Sequence, residues 1–476
     1  MIYILAFLVA MWILVVGLKY RLSYIHMTLV FLSAQMIGTY NIGVDYSAYR
    51  PTVYLGIGIG CVIAGLAWAR FMSRPVRLPA HATSRTTTLD RRILWTFVTM
   101  TAALIAYHYA VGGVPLFQEN VLLARFDNTS SGLFGLPGRF NLFGAFFALF
   151  LVFAYYQSIP NVGRVRGLLV TTTLLLVVSR LFQGNKGAII QCLVALLIVG
   201  PYFEKRYQVG EAIRRIASGI PLWLVGVGGL GATAAFFFVA HIHITQGIGL
   251  YDNVFDALVR RVAVVSGSAF YESVMSVAPR YGHGWGGYFL SDLSYFAQSF
   301  GSSHNLHHSL NDLVSSSVTG RDVFGDKFLV PVAMNGLGYL YIEFGLLGIV
   351  VGGILLGAAM GRLYFKVDSV RQPLLRALLF YTQLCLFWVI TRGNFGFYVP
   401  NMLLMAVVFC VALLGIALLG SFSTRRRSTF LRLRHTNRTS ADERLSSHAF
   451  APTLLRSSTR TYRSDRAGFA AGARRW

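Results

Sequence analysis

Runs of 16 to 25 apolar residues recur through the first 420 positions, separated mostly by connections too short to hold a soluble fold. Each run is close to the ~20 residues a helix needs to cross a ~30 Å hydrocarbon core, where backbone groups find no water. A chain of this kind is confined to a bundle of membrane-spanning helices. Composition agrees, with 55% hydrophobic and 13% charged residues, against about 25% charged in soluble proteins. The expected fold is therefore all-α, a polytopic bundle of eleven spans at residues 1–18, 24–41, 52–69, 93–111, 141–157, 167–182, 188–203, 220–240, 334–358, 374–391 and 397–419. The first run has neither a basic leader nor a small-residue cleavage site and reads as a retained span.

The placement of charge orients the bundle. If Lys19 and Arg21 face the cytoplasm and the loops alternate, 31 of the 42 Lys and Arg residues fall on the cytoplasmic side, with the N-terminus outside and the C-terminus inside. The domain reading is a transmembrane unit over 1–420, with a large extracytoplasmic loop at 241–333, and a tail over 421–476. The tail sets thirteen arginines against Asp442, Glu443 and Asp465 and reads as disordered, lying near anionic headgroups. A net charge of +24 placed this way points to membrane topology and not to nucleic acid. Cys61, Cys192, Cys385 and Cys410 all sit within apolar runs and read as small buried hydrophobes.

Topology leaves eleven cations on the outer side: Arg50, Arg125, Arg139, Arg180, Lys186, Arg260, Arg261, Arg280, Arg321, Lys327 and Arg392. Arg180 and Lys186 bracket a short turn between two spans, a depth at which charge is costly unless it is paired or used; the alternative is snorkelling to headgroups. Arg125 and Arg139 lie in a loop so rich in glycine and aliphatics that it is expected to fold back into the bundle. Arginine forks suit a lipid diphosphate; pairing of Arg125 with Asp127 or Glu119 is the competing reading.

Within the large loop, residues 252–266 fit an amphipathic helix, with Asp256 and Arg260 paired on the wet face and Arg261 bordering the apolar one. Next comes YGHGWGGYFLSDLSYF, where Trp285 and Tyr288 can stack on sugar rings or lie on headgroups. His304, His307 and His308 share a helical face. One of them can take a proton from a sugar hydroxyl; metal binding with Asp312 lacks any supporting HExxH or cysteine. Glu343, inside the ninth run, should face the interior and either meet an arginine or act as a base. Gly56/Gly60, Gly348/Gly352, Gly353/Gly357 and Gly357/Gly361 put small residues four apart, a spacing that lets helix backbones approach.

GVPLFQENVLLARF at 113–126, GNKGAII at 184–190 and GYLYIEFGLLGIVVGGILLG at 338–357, with the span count and the outer loop, resemble the Wzy-type O-antigen and oligosaccharide repeat-unit polymerases, relatives in architecture of the O-antigen ligases. Where many members carry arginine in the turn, this chain has Lys186, which keeps the charge without the fork. The resemblance implies a metal-independent, cofactor-free glycosyltransferase of the bacterial inner membrane. Its substrate would be a polyprenyl-diphosphate-linked oligosaccharide, its surroundings membrane lipids, and its partners a chain-length regulator or flippase of the same pathway. Diphosphate and sugar contacts would come from Arg125, Arg139, Arg180, Lys186, Arg261, Trp285 and Tyr288, and the base from His304, His307, His308 or Glu343. A ligase needs the same donor site, and a lipid-linked oligosaccharide flippase is the non-enzymatic alternative.

Overall fold

A computed structural model describes residues 23–73, 88–118, 135–156, 163–183, 191, 194–195, 198, 266–298, 310–319, 334–370, 372–393, 395–396 and 398–419. Their regular structure is entirely helical. In chain order the helices are α1 (Tyr24–Asp45), α2 (Arg50–Met72), α3 (Thr88–Gly112), α4 (Leu136–Tyr155), α5 (Gly163–Phe182), α6 (266–281), α7 (Gly287–Gln298) and α8 (Leu310–Thr319). The stretch Gly336–Leu347 is broken at Gly345, so α9 covers 336–344 and α10 covers 346–369; α11 (Pro373–Arg392) and α12 (Tyr398–Leu419) follow. Among the described residues seven helices are long and apolar enough to cross a membrane, and Gly167–Phe182 is a shorter apolar one. The protein is a multi-pass helical membrane bundle. The expected spans 1–18 and 220–240 lie outside the described residues, as does most of 188–203, and so does the tail at 421–476.

The centre is α4, whose side chains are nearly all buried. It is aromatic along its length: Phe147 stacks on Phe409 of α12 at 4.3 Å, Phe143 and Phe146 meet Trp388 of α11, and Phe97 of α3 closes on Phe147. Lipid tails are as apolar as leucine, so burial alone does not hold membrane helices together. Close packing and offset ring contacts do.

Glycine decides the second large contact. An added Cβ at Gly357 would lie 2.1 Å from the Val62 carbonyl oxygen, and one at Gly65 would lie 2.1 Å from that of Ile354. Thus α2 and α10 run parallel, backbone on backbone, along Gly58, Val62, Gly65 and Ala69. The expected Gly56/Gly60 pair is not the seam: Gly60 has nothing within 4 Å, and Gly56 only the Met36 sulfur at 3.9 Å. Both glycines project from the opposite side of the same helix. Gly348 and Gly352 do not serve a neighbouring span either. They receive Leu340 of α9, because Gly345, at φ 62° and ψ −150°, folds α9 back along α10. The expected single span at 334–358 is therefore two helices in a hairpin, and α10 alone is about 36 Å long at 1.5 Å per residue.

Part of the stretch expected as a loop at 241–333, the helix α6, also enters the bundle. Gly267, at the start of α6, packs against Gln35, Gly38 and Thr39 of α1, and Thr39 Oγ1 donates to the Gly267 carbonyl at 3.2 Å. Thr39 lies six residues before the end of α1, about 9 Å down the helix axis. From there α6 rises until Tyr271 meets Tyr46. The start of α9 is similarly deep: Asn335 caps α9 through the Gly338 N–H and donates to Gln35 Oε1 at 2.9 Å, while Gln35 Nε2 reaches the Thr391 carbonyl. Segments α6 to α9 form a helical plug with its own small core of Ala269, Val277, Leu310, Val314, Tyr339 and Ile342. It is seated in the mouth of the bundle, the end at which α1 finishes and α2 begins.

Candidate functional site

At the mouth, the turn between α6 and α7 lies across the top of α9. Gly284 and Trp285 donate backbone N–H groups to the carbonyls of Ile342 and Glu343, at 3.1 and 2.8 Å. The Glu343 carboxylate then takes the first turn of α7: Gly286 N–H donates to Oε2 at 2.7 Å and Phe289 N–H to Oε1. Helix N-termini leave such donors unpaired and carry partial positive charge, so an anion placed there satisfies both. A side chain at Gly284 would strike Glu343 and Tyr288, which is why the turn is built of glycine. Trp285 is held in the left-handed region at φ 48° and remains 68% exposed. A non-glycine residue in that region is strained, and strain held in place by surrounding hydrogen bonds is characteristic of binding sites. Tyr288 points back toward Glu343, and its phenol is shifted above the usual range by burial first, then by the charge of Glu343 and by Tyr281.

Beside this turn a polar chain crosses to α2. The Arg50 Nε donates to the Tyr54 hydroxyl at 2.8 Å, Tyr54 packs on Tyr341, and Tyr341 meets the His283 ring edge-on at 5.5 Å. The His283 Nδ1 lies 3.3 Å from the Ile342 carbonyl. A carbonyl partner assigns the proton to Nδ1, which leaves Nε2 as the lone-pair nitrogen.

Three more arginines reach the mouth from other helices. Arg139, at the start of α4, donates to Asn401 Oδ1 at 2.7 Å and lies over Phe296 of α7. Arg180, at the end of α5, bonds the carbonyls of Asn141 and Leu142 and the side chain of Gln183 and lies over Phe146. Arg392, ending α11, donates to the Tyr398 hydroxyl at 3.1 Å and lies over Trp388. Oxygen acceptors and ring faces orient each guanidinium. Helix α7 ties the two groups together: its N-terminus is on Glu343, Asp292 accepts from Tyr339 at 2.9 Å, and Phe296 reaches Arg139.

Of the residues singled out from sequence, Arg139, Arg180, Trp285, Tyr288 and Glu343 are placed here, all at the mouth. Arg125, Lys186, Arg261, His304, His307 and His308 lie outside the described residues. Glu343, expected to face the interior and either meet an arginine or act as a base, is buried, and its carboxylate accepts from backbone donors of the α7 N-terminus. Sequence reasoning passed over His283, Tyr54 and Tyr341. The glycines flanking His283 and the four-residue spacing of Arg50 and Tyr54 were the available signals. Among the described residues no three His, Cys, Asp or Glu side chains converge as a metal site. Comparison of the chain with protein-family models, curated proteins and solved structures finds no match.

Proposed function

We propose that the chain is a glycosyltransferase of the bacterial inner membrane that polymerises lipid-linked oligosaccharide repeat units at the extracytoplasmic mouth of the bundle. The observation that carries this reading is the arrival of Arg50, Arg139, Arg180 and Arg392 at one end from four different helices, each over an aromatic ring. A diphosphate leaving group calls for oriented cations of this kind gathered at one mouth. The charge distribution along the sequence supports an outward-facing mouth. In the reaction the terminal hydroxyl of one lipid-linked unit attacks the anomeric carbon of the growing glycan. The bond from that carbon to the polyprenyl diphosphate breaks, the diphosphate departs with the electron pair, and the hydroxyl proton passes to a base. The arginines hold the departing charge, Trp285 and Tyr288 offer faces to the sugars, and the base is drawn from His283, Glu343 and the sequence candidates His304, His307 and His308, which lie outside the described residues.

The test is extension of a synthetic polyprenyl-diphosphate repeat unit by the purified protein, read as a ladder of glycan lengths. Wild type should extend it. Alanine at Arg50, Arg139 or Arg392 should abolish products longer than one unit while leaving expression and insertion normal. An unchanged ladder in all three variants would overturn the assignment of the site. Transfer only to a different acceptor would identify a ligase, and movement of intact substrate across a vesicle without extension would identify a flippase.

A further inference from the structure

The opposite end of the bundle carries a feature unconnected with the mouth or its chemistry. Where the α2–α10 seam ends, the guanidinium of Arg362 lies over the Trp68 ring at 5.7 Å. Both side chains are exposed, as are Lys366 one turn further along α10 and Arg70 and Phe71 at the end of α2. The seam itself creates a groove on this face. Gly357 and Gly65 bring the two backbones into contact, and beside them on this face lie Ile57 and Trp68 on α2 and Val351 and Leu355 on α10, with the small residues Cys61 and Ala64 between Ile57 and Trp68. Ile57, Val351, Leu355 and Trp68 are 38 to 58% exposed and form a continuous apolar surface leading up to the cations. The site is thus amphipathic along the helix axis, with an apolar groove and a cationic, aromatic head.

We infer that this groove binds one anionic glycerophospholipid, the phosphate against Arg362 and Lys366, the glycerol backbone at the Trp68 ring, and an acyl chain along Ala64 toward Ile57 and Leu355. Charge complementarity selects the headgroup. A zwitterionic lipid presents its phosphate together with a cation that these side chains repel, whereas a singly anionic lipid does not. Tryptophan at the headgroup level and basic residues beside it are the elements that recognise lipid at this depth. A free phosphate would find only exposed side chains. The acyl groove adds the apolar contact that makes the site a lipid site. This inference stands on the seam alone and does not depend on the glycosyltransferase reading.

The experiment uses the full-length protein in nanodiscs containing increasing fractions of phosphatidylglycerol or phosphatidylcholine brominated near the glycerol end of the acyl chains. The quantity read is quenching of Trp68 fluorescence, isolated as wild type minus Trp68→Phe. Brominated phosphatidylglycerol should quench Trp68 at a markedly lower mole fraction than brominated phosphatidylcholine. Arg362→Gln should reduce that preference about fivefold, since each cation near the surface contributes about that factor, while leaving quenching by phosphatidylcholine unchanged. Millimolar inorganic phosphate should have no effect. Equal quenching by the two lipids, a preference that survives Arg362→Gln together with Lys366→Gln, or displacement by inorganic phosphate would each overturn the inference.

Discussion

The carboxylate of Glu343 accepts the backbone N–H of Gly286 at 2.7 Å, joining positions 57 residues apart. That bond, with the one from Phe289, docks the first turn of α7 onto the top of α9. Replacing Glu343 by Ala leaves two half-buried donors without this partner, a loss of about 1 kcal/mol each. Glu343→Ala should therefore lower the melting temperature in detergent and increase hydrogen exchange at Gly286 and Phe289. Exchange rates equal to wild type would show that the contact does not hold α7.

Trp285 separates strain from function. Its left-handed backbone favours glycine by about 1 kcal/mol. Trp285→Gly should leave stability equal to or above wild type and nevertheless reduce glycan extension, because the exposed ring is lost. A variant as active as wild type would remove Trp285 from the site.

The α2–α10 seam predicts a contrast between two glycines. Gly357→Val drives side-chain atoms into the Val62 carbonyl and must separate the helices, at more than the ~1–3 kcal/mol typical of overpacking. Gly60→Ala faces open space and should be neutral or slightly stabilising, since alanine is the better helix former by about 1 kcal/mol. Thermal unfolding of the two variants checks the pair, and a similar loss from both would place the seam elsewhere.

Tyr288 supplies a pH dependence. Burial, Glu343 and Tyr281 raise its folded-state pKa above the unfolded value near 10. Between those two values the unfolded chain has released the proton and the folded chain has kept it. Stability therefore falls as pH rises from about 10 toward the raised value. Tyr288→Phe should lessen this alkaline loss and leave stability near neutrality little changed. A pH–stability curve parallel to wild type above pH 10 would contradict the placement of the phenol.

Asn335 tests how the plug is anchored. It caps α9 and donates to Gln35, so Asn335→Ala removes a helix cap, about 1 kcal/mol, and also leaves the Gln35 amide oxygen without that donor. The expected result is protease sensitivity within residues 266–344 at temperatures where the bundle remains folded. Unaltered cleavage would mean that the plug is held by its apolar core alone.

The sequence by itself determined that this is a helical membrane bundle, and it located α1, α2, α3, α4, α5, α11 and α12 to within a few residues. Apolar run length is a local property that the hydrocarbon thickness reads directly. It also marked Arg139, Arg180, Trp285, Tyr288 and Glu343, because charge and exposed rings are conspicuous against an apolar background. Only the tertiary structure decided that the run at 334–358 is a hairpin, since a glycine inside an apolar run looks the same whether φ is negative or, as at Gly345, positive. Only it decided that Gly58 and Gly65, not Gly56 and Gly60, form the α2 seam, because facing is set by the partner helix. Only it decided that Glu343 meets a helix N-terminus and that His283 joins Arg50 through two tyrosines. Those contacts link residues tens to hundreds of positions apart, and no local pattern in the chain encodes a partner at that distance.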